Sequence, residues 1–316
     1  MEISALLVGI VPVFSIILIG YFLKRLVLSD DKQWAGMERI TFVLLIPCLI
    51  IKTLVEANLS QISIQSIATT LLGALCLVLL ILSVVYFLLV KNNRISVSAF
   101  TSIFQTATRW NAFIALAINE SLFDNIAVSL TAVCMVILMP IINIINVSVL
   151  TSLLTNGSVS LIGLIGKILK NPIIVACLIG VAISLSSIQP WAPAMDILGI
   201  LGKTSLGLIL LSVGAGLKLA AFSNSKKNLF LSCSLKLFMM PALVVLLGII
   251  VGLDELTLTT VTLIAAMPSA SNGYILAREM GGDAPLYANA VSLQVLLSFV
   301  TIPMWLRILS ELQGIA

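Results

Sequence analysis

The chain has 316 residues, of which 60% are hydrophobic and only 9% charged, with a mean hydropathy of +1.21, where a soluble domain carries roughly 25% charged residues. This composition belongs in a bilayer, and the net charge of +4 is spread over short connections rather than clustered as a nucleic-acid surface would be. The absence of histidine excludes His-based metal sites, His general bases and the Ser-His-acid triad, and the five cysteines (Cys48, Cys76, Cys134, Cys177, Cys233) lie in apolar segments without a metal-ligand spacing.

About 20 apolar residues cross a bilayer as a helix. Ten such cores are predicted, at 4–23, 37–56, 66–90, 97–119, 125–150, 172–189, 195–218, 229–251, 256–278 and 285–309. The first begins in "MEISALLVGI", which has no basic n-region, so it reads as a span rather than a cleavable signal. Between the fifth and sixth, "SLIGLIGKILK" in 151–171 predicts either a helix lying in the interface or an early start to the next span.

The fourth segment contains "FQTATRWNAFIALAI", with Arg109 beside Asn111 and Gln105 one turn earlier on a similar face. A guanidinium at mid-membrane costs about 2.5–3.5 kcal/mol on insertion scales, so a function is expected of it. It either neutralises a bound anion or clamps the carbonyls of a broken helix. Two further mid-depth cations, Lys203 in "GKTSLGL" and Lys236 in "SLKLFMMP", either face the same anion or snorkel toward an interface. No Asp or Glu lies comparably deep, so the buried formal charge is positive throughout and suits a carboxylate.

The ninth segment reads "LIAAMPSASNGYILARE". Pro268 removes a backbone donor, while Ser269, Ser271, Asn272 and Gly273 supply local hydrogen bonding and backbone freedom, which predicts a helix break. The half-helix beyond it would point a partial positive charge at an anion. The fourth segment has neither proline nor glycine at the matching point, so its residues alone do not predict a break.

Basic residues fall in the odd-numbered connections: Lys24, Arg25, Lys32 and Arg39, then Lys91 and Arg94, Lys167 and Lys170, Lys218, Lys226 and Lys227, and Arg278. The positive-inside rule then places both termini outside a cell inner (plasma) membrane crossed many times. Lys52 has Glu56 one turn away as its expected partner.

An internal repeat runs through the chain. "PVFSIILIG" at Pro12 is echoed by "PIIVACLIG" at Pro172, "NAFI" at Asn111 by "NGYI" at Asn272, and "AVSLTAVCMVILMP" at Ala127 by "AVSLQVLLSFVTIP" at Ala290, with offsets of 160, 161 and 163 residues. The units are 1–150 and 172–316, joined by 151–171. Each holds five spans, and an odd number forces the second to enter from the opposite side. Inverted repeats of this kind typify secondary transporters, whose substrates bind near mid-membrane where helices are interrupted.

"KNPIIVACLIGVAISL", "LSVGAGLKL", "LKLFMMPAL" and "AAMPSASNGYILAREMGGD" resemble conserved stretches of the bacterial branch of the auxin efflux carrier family, relatives of the plant PIN exporters, over essentially the whole chain. The resemblance implies an all-α polytopic membrane protein of ten transmembrane helices in two inverted five-helix repeats, with a scaffold domain and a transport domain whose interrupted fourth and ninth helices cross at the binding site. It also implies an organic anion substrate, a mono- or dicarboxylate or an auxin-like acid, and places Asn111, Pro268 and Asn272 at the crossing.

The expectation is therefore a carrier working by alternating access, not an enzyme, with substrate contacts at Arg109, Asn111, Gln105, Pro268, Ser269, Ser271, Asn272 and Lys203 and no cofactor or metal. An inside-negative potential of about 100 mV gives a departing negative charge about 2.3 kcal/mol, which favours export. A sodium- or proton-coupled symporter of similar fold and a ligand-binding membrane sensor remain as alternatives. Expected partners are the organic anion and the lipid bilayer, with a homodimer admitted and no nucleic acid.

Overall fold

A computed structural model describes residues 3–56, 63–123, 125–155, 166, 170–186, 190–218 and 226–314. Among them the chain is helical, with no strand. We number its helices α1 (Ile3–Leu26), α2 (31–56), α3 (Ile64–Val90), α4 (Val97–Thr108), α5 (Ala112–Leu122), α6 (Asn125–Leu154), α7 (Pro172–Leu185), α8 (Ala192–Ala215), α9 (Lys226–Val251), α10 (Glu255–Ala266), α11 (Gly273–Met280) and α12 (Ala284–Gln313). Six of these (α1, α3, α6, α8, α9 and α12) are long and apolar enough to cross a membrane unaided. The expected interfacial helix falls mostly on 156–165 and 167–169, outside the described residues.

Side-chain caps set the helix starts. Ser96 accepts from Ala99 N, Asn171 from Ile173 N ahead of Pro172, Asp254 from Thr257 N, and Asp283 from Leu286 N. Gly252 and Gly281, at φ +76° and +81°, end α9 and α11 in the left-handed conformation that glycine adopts without penalty. Three helices carry one π turn each, at Thr41–Leu45, Tyr86–Val90 and Leu235–Met239.

Two sets of helices are visible in the packing. In one, α1 lies along α8, α2 along α7, and α2 also meets α8. In the other, α3 packs on α9, α4 on α9 and α12, and α10 on α6, α9 and α12. The first set depends on backbone approaching backbone, which in lipid replaces the hydrophobic drive available in water. A Cβ at Gly214 would overlap the Ile17 carbonyl oxygen, and one at Gly20 the carbonyl of Leu211. The "SVGAG" stretch thus brings α8 against α1, as its small residues suggest. Lys52 and Glu56 pair at 3.1 Å as their spacing predicts.

Arg25 donates to the Leu217 carbonyl at 3.2 Å, and Lys218 and Arg278 both approach the ring of Tyr274. Arg25, Lys218 and Arg278, from the first, seventh and ninth connections, are therefore gathered at one end of the molecule.

Gly214→Ala should lower stability by about 1–3 kcal/mol, because the obstacle is backbone that cannot rotate away. Gly207→Ala, in the same helix with nothing within 4 Å of its Cβ position, should be neutral or slightly stabilising. Thermal melts of the detergent-purified variants check both.

Candidate functional site

The deepest polar residues meet where two helices are interrupted. The ninth segment breaks between Ala266 and Gly273, as Pro268 requires. The fourth breaks as well, between Thr108 and Ala112, without proline or glycine. The cause is Asn111: its Oδ1 accepts from Phe113 N (3.1 Å) and Ile114 N (3.2 Å), which starts α5 as a separately capped helix. Arg109 before it is extended, at φ −75° and ψ 155°.

The two breaks hold one another. Asn111 N donates to the Pro268 carbonyl at 2.8 Å. Ser269 Oγ donates to the Thr106 carbonyl and, at 3.4 Å, reaches that of Arg109. Ser269 N donates to Gln294 Oε1 at 2.9 Å, and Gln294 Nε2 donates to Ser232 Oγ at 3.1 Å. Ser232 Oγ in turn lies 2.7 Å from Thr106 Oγ1, so α4, α9, α12 and the ninth-segment break close into one network. Tyr287 of α12 donates to the Ala270 carbonyl at 2.6 Å, in space that Gly273 leaves open and a Cβ there would fill.

Arg109 is buried, 7% exposed, with Nε donating to Gln105 Oε1 (3.3 Å) and Nη1 to Asn143 Oδ1 (3.0 Å). Both acceptors are neutral. The three ion pairs among the described residues, Lys24–Asp31, Lys52–Glu56 and Arg307–Glu311, leave Arg109 without a carboxylate. Thr108 is tied to α6 by Asn146 Nδ2, at 3.0 Å.

Of the eight residues expected at the site, Gln105, Arg109, Asn111, Pro268 and Ser269 come together in this way. Ser271 and Asn272 sit at the mouth of the ninth-segment break with exposed side chains, and Asn272 starts α11 without capping it. The two repeat-matched asparagines thus differ: one is a buried cap, the other is free toward solvent. Lys203 stands apart. It is exposed on α8, where its charge acts on Glu120 rather than on the crossing.

Sequence reasoning missed Asn143, Gln294 and Ser232. Their signal was a polar residue within an apolar segment, near the middle of α6 and α12 and in the first third of α9, but only tertiary contact identifies what each one serves. The described residues contain no group of metal-ligating side chains.

Residues 5–306 match the sequence family described as membrane transport protein. An uncharacterized transporter of Methanothermobacter thermautotrophicus is 24% identical over 302 residues, covering 94% of this chain and 96% of that protein.

Asn111→Ala should cost about 1–2 kcal/mol through loss of the cap, and Asn111→Ser should recover much of it. Asn272→Ala should stay within about 0.5 kcal/mol of the parent, as exposed positions do. Thermal unfolding of the three purified variants separates these expectations.

Proposed function

Because the chain belongs to the auxin efflux carrier family of membrane transport proteins, we propose that it is a secondary carrier of a small organic anion, a mono- or dicarboxylate or an auxin-like acid. The observation that carries this reading is Arg109, a buried cation at the meeting of two helix breaks whose hydrogen-bond partners are both uncharged. A carboxylate at the mouth of the crossing completes that charge. It also meets the exposed Ser271 and Asn272 and the N-terminal end of α11, which no side chain caps and where the helix dipole favours an anion. Asn111 contributes its side-chain Nδ2, which donates to no described residue, while its Oδ1 stays on the cap. Gln105, Pro268 and Ser269 position these groups. Lys203 in this conformation makes no contact with them.

Alternating access is the working cycle, with α1, α2, α7 and α8 as scaffold and the remaining helices as the moving unit. A two-fold relation between halves is supported by packing pairs that exchange when the halves are swapped. The contact of α1 with α8 answers that of α2 with α7, α4 with α12 answers α6 with α10, and α4 with α11 answers α5 with α10. The gathering of Arg25, Lys218 and Arg278 at one end supports a cytoplasmic assignment for that end and external termini.

Arg109→Ala should reduce uptake of a labelled carboxylate into proteoliposomes at least tenfold, with Arg109→Lys retaining part of the activity; unchanged flux in Arg109→Ala would remove the guanidinium from the site. For a substrate carrying one net negative charge, an imposed potential of about 100 mV should shift the steady-state distribution about fiftyfold toward the positive side. A distribution indifferent to potential would contradict electrogenic movement of the anion.

A further inference from the structure

The internal repeat matches Ser129 to Ser292, the serines of "AVSLTAVCMVILMP" and "AVSLQVLLSFVTIP". Both are buried, in α6 and α12 respectively. A serine inside a helix is satisfied by the carbonyl three or four residues back and needs no other partner. Each of these two has one on another helix. Ser129 Oγ donates to the Thr53 carbonyl of α2 at 3.3 Å, and Ser292 Oγ accepts from Lys218 N, just past the end of α8, at 2.8 Å. The Ser292 hydroxyl proton is on the Ala288 carbonyl, at 2.9 Å, which leaves its lone pairs for the amide.

The partners lie at opposite ends of the molecule. α1 ends beside Leu217, whose carbonyl takes Arg25, and α2 starts at that same end, with Asp31 paired to Lys24, before running away from it to Glu56. Thr53, in the last turn of α2, is therefore far from Lys218. By chain order α2 and α8 are the second helices of the two repeat units, so matched serines meet matched helices. A second contact backs each. At the Thr53 end Ser121 Oγ of α5 donates to the Gly9 carbonyl of α1 at 2.9 Å, and at the other the Lys218 ammonium stands 4.3 Å from the centre of the Tyr274 ring of α11.

Every one of these contacts joins the set of α1, α2, α7 and α8 to the remaining helices. Between the two ends Phe14 of α1 meets Phe299 of α12 edge to face at 5.3 Å, an apolar contact whose sliding strands no donor or acceptor. The contacts at the ends differ in kind. A buried hydroxyl or amide that loses its partner has to find water, so each end separates only as water enters there.

We propose that Ser129 and Ser292 are the paired latches of alternating access. The bond of Ser292 to the Lys218 amide holds the cytoplasmic end together and breaks in the inward-open state; the bond of Ser129 to the Thr53 carbonyl holds the external end and breaks in the outward-open state. This rests on the reading above of α1, α2, α7 and α8 as scaffold and of the Lys218 end as cytoplasmic, and on nothing about the substrate. A neutral hydrogen bond is enough to move such an equilibrium about fivefold. Removing one latch shifts the population toward the state open at that end, and removing both restores the balance. A serine with a structural role alone would lower stability and favour neither side.

The test needs no substrate. Asn272→Cys places a thiol at the exposed mouth of the ninth-segment break, and its alkylation by a membrane-impermeant maleimide is timed in inside-out and in right-side-out vesicles, with the parent protein giving the background of its own cysteines. Ser292→Ala should raise the ratio of cytoplasmic to external labelling about fivefold, Ser129→Ala should lower it about fivefold, and the double variant should return near the parental ratio. Lys218→Pro removes the amide from the other side of the same bond, at an exposed position past the helix end that proline readily occupies, and should act as Ser292→Ala does. Serine variants that move the ratio the same way or not at all would overturn the proposal. So would an unchanged ratio in Lys218→Pro, or a thiol at position 272 labelled from one side alone in every variant. Each of these results would leave the anion-carrier reading standing, since that is tested by carboxylate flux and Arg109→Ala.

Discussion

One hydrogen bond between two helix breaks organises this protein: the amide of Asn111 donating to the carbonyl of Pro268. In hydrocarbon a backbone group without a partner costs several kcal/mol, so an interrupted helix survives only where protein groups satisfy what the ladder has lost. Here each break supplies the other. Ser269 reaches back to the Thr106 and Arg109 carbonyls, Asn111 caps its own half-helix, and Gln294 takes the amide of Ser269. None of these interruptions could stand by itself at that depth.

Breaking a helix also divides its dipole. Two long helices would send their charged ends to the membrane surfaces, whereas two broken ones deliver four ends to the interior. The C-terminal ends of α4 and α10 border a small cavity that Lys236 also lines, and the N-terminal ends of α5 and α11 follow Asn111 and Asn272. The two buried cations therefore have different electrical surroundings. The Lys236 ammonium has no hydrogen bond or ion pair to a described residue, while Arg109 donates to the neutral oxygens of Gln105 and Asn143.

Much of this arrangement is legible in the sequence. The ninth break is written in Pro268, Ser269, Asn272 and Gly273, because proline removes a donor and its neighbours tolerate the non-helical backbone beside it. The fourth is not, since the residue that makes it is an asparagine, and asparagine becomes a cap only when the preceding backbone turns extended. Arg109 and Gln105 are legible as a pair from their spacing; Asn143 is not, because it comes from α6 and its approach is set by packing. The two lysines could have been ranked by periodicity. On α8 the buried stripe runs through Gly199, Gly202, Leu206 and Ile209, with Lys203 off it, whereas Lys236 lies on the buried stripe of α9. Depth along the segment is similar for both, and only the face distinguishes them.

Anion transport is tested most directly by charge movement itself, recorded from proteoliposomes adsorbed to a solid-supported membrane when a carboxylate is applied in sodium-free buffer. The carrier should give a transient current with the sign of negative charge entering the vesicles, saturating with carboxylate concentration and absent from vesicles without the protein. Currents evoked by neutral or cationic solutes and by no carboxylate of the series would contradict an anion carrier.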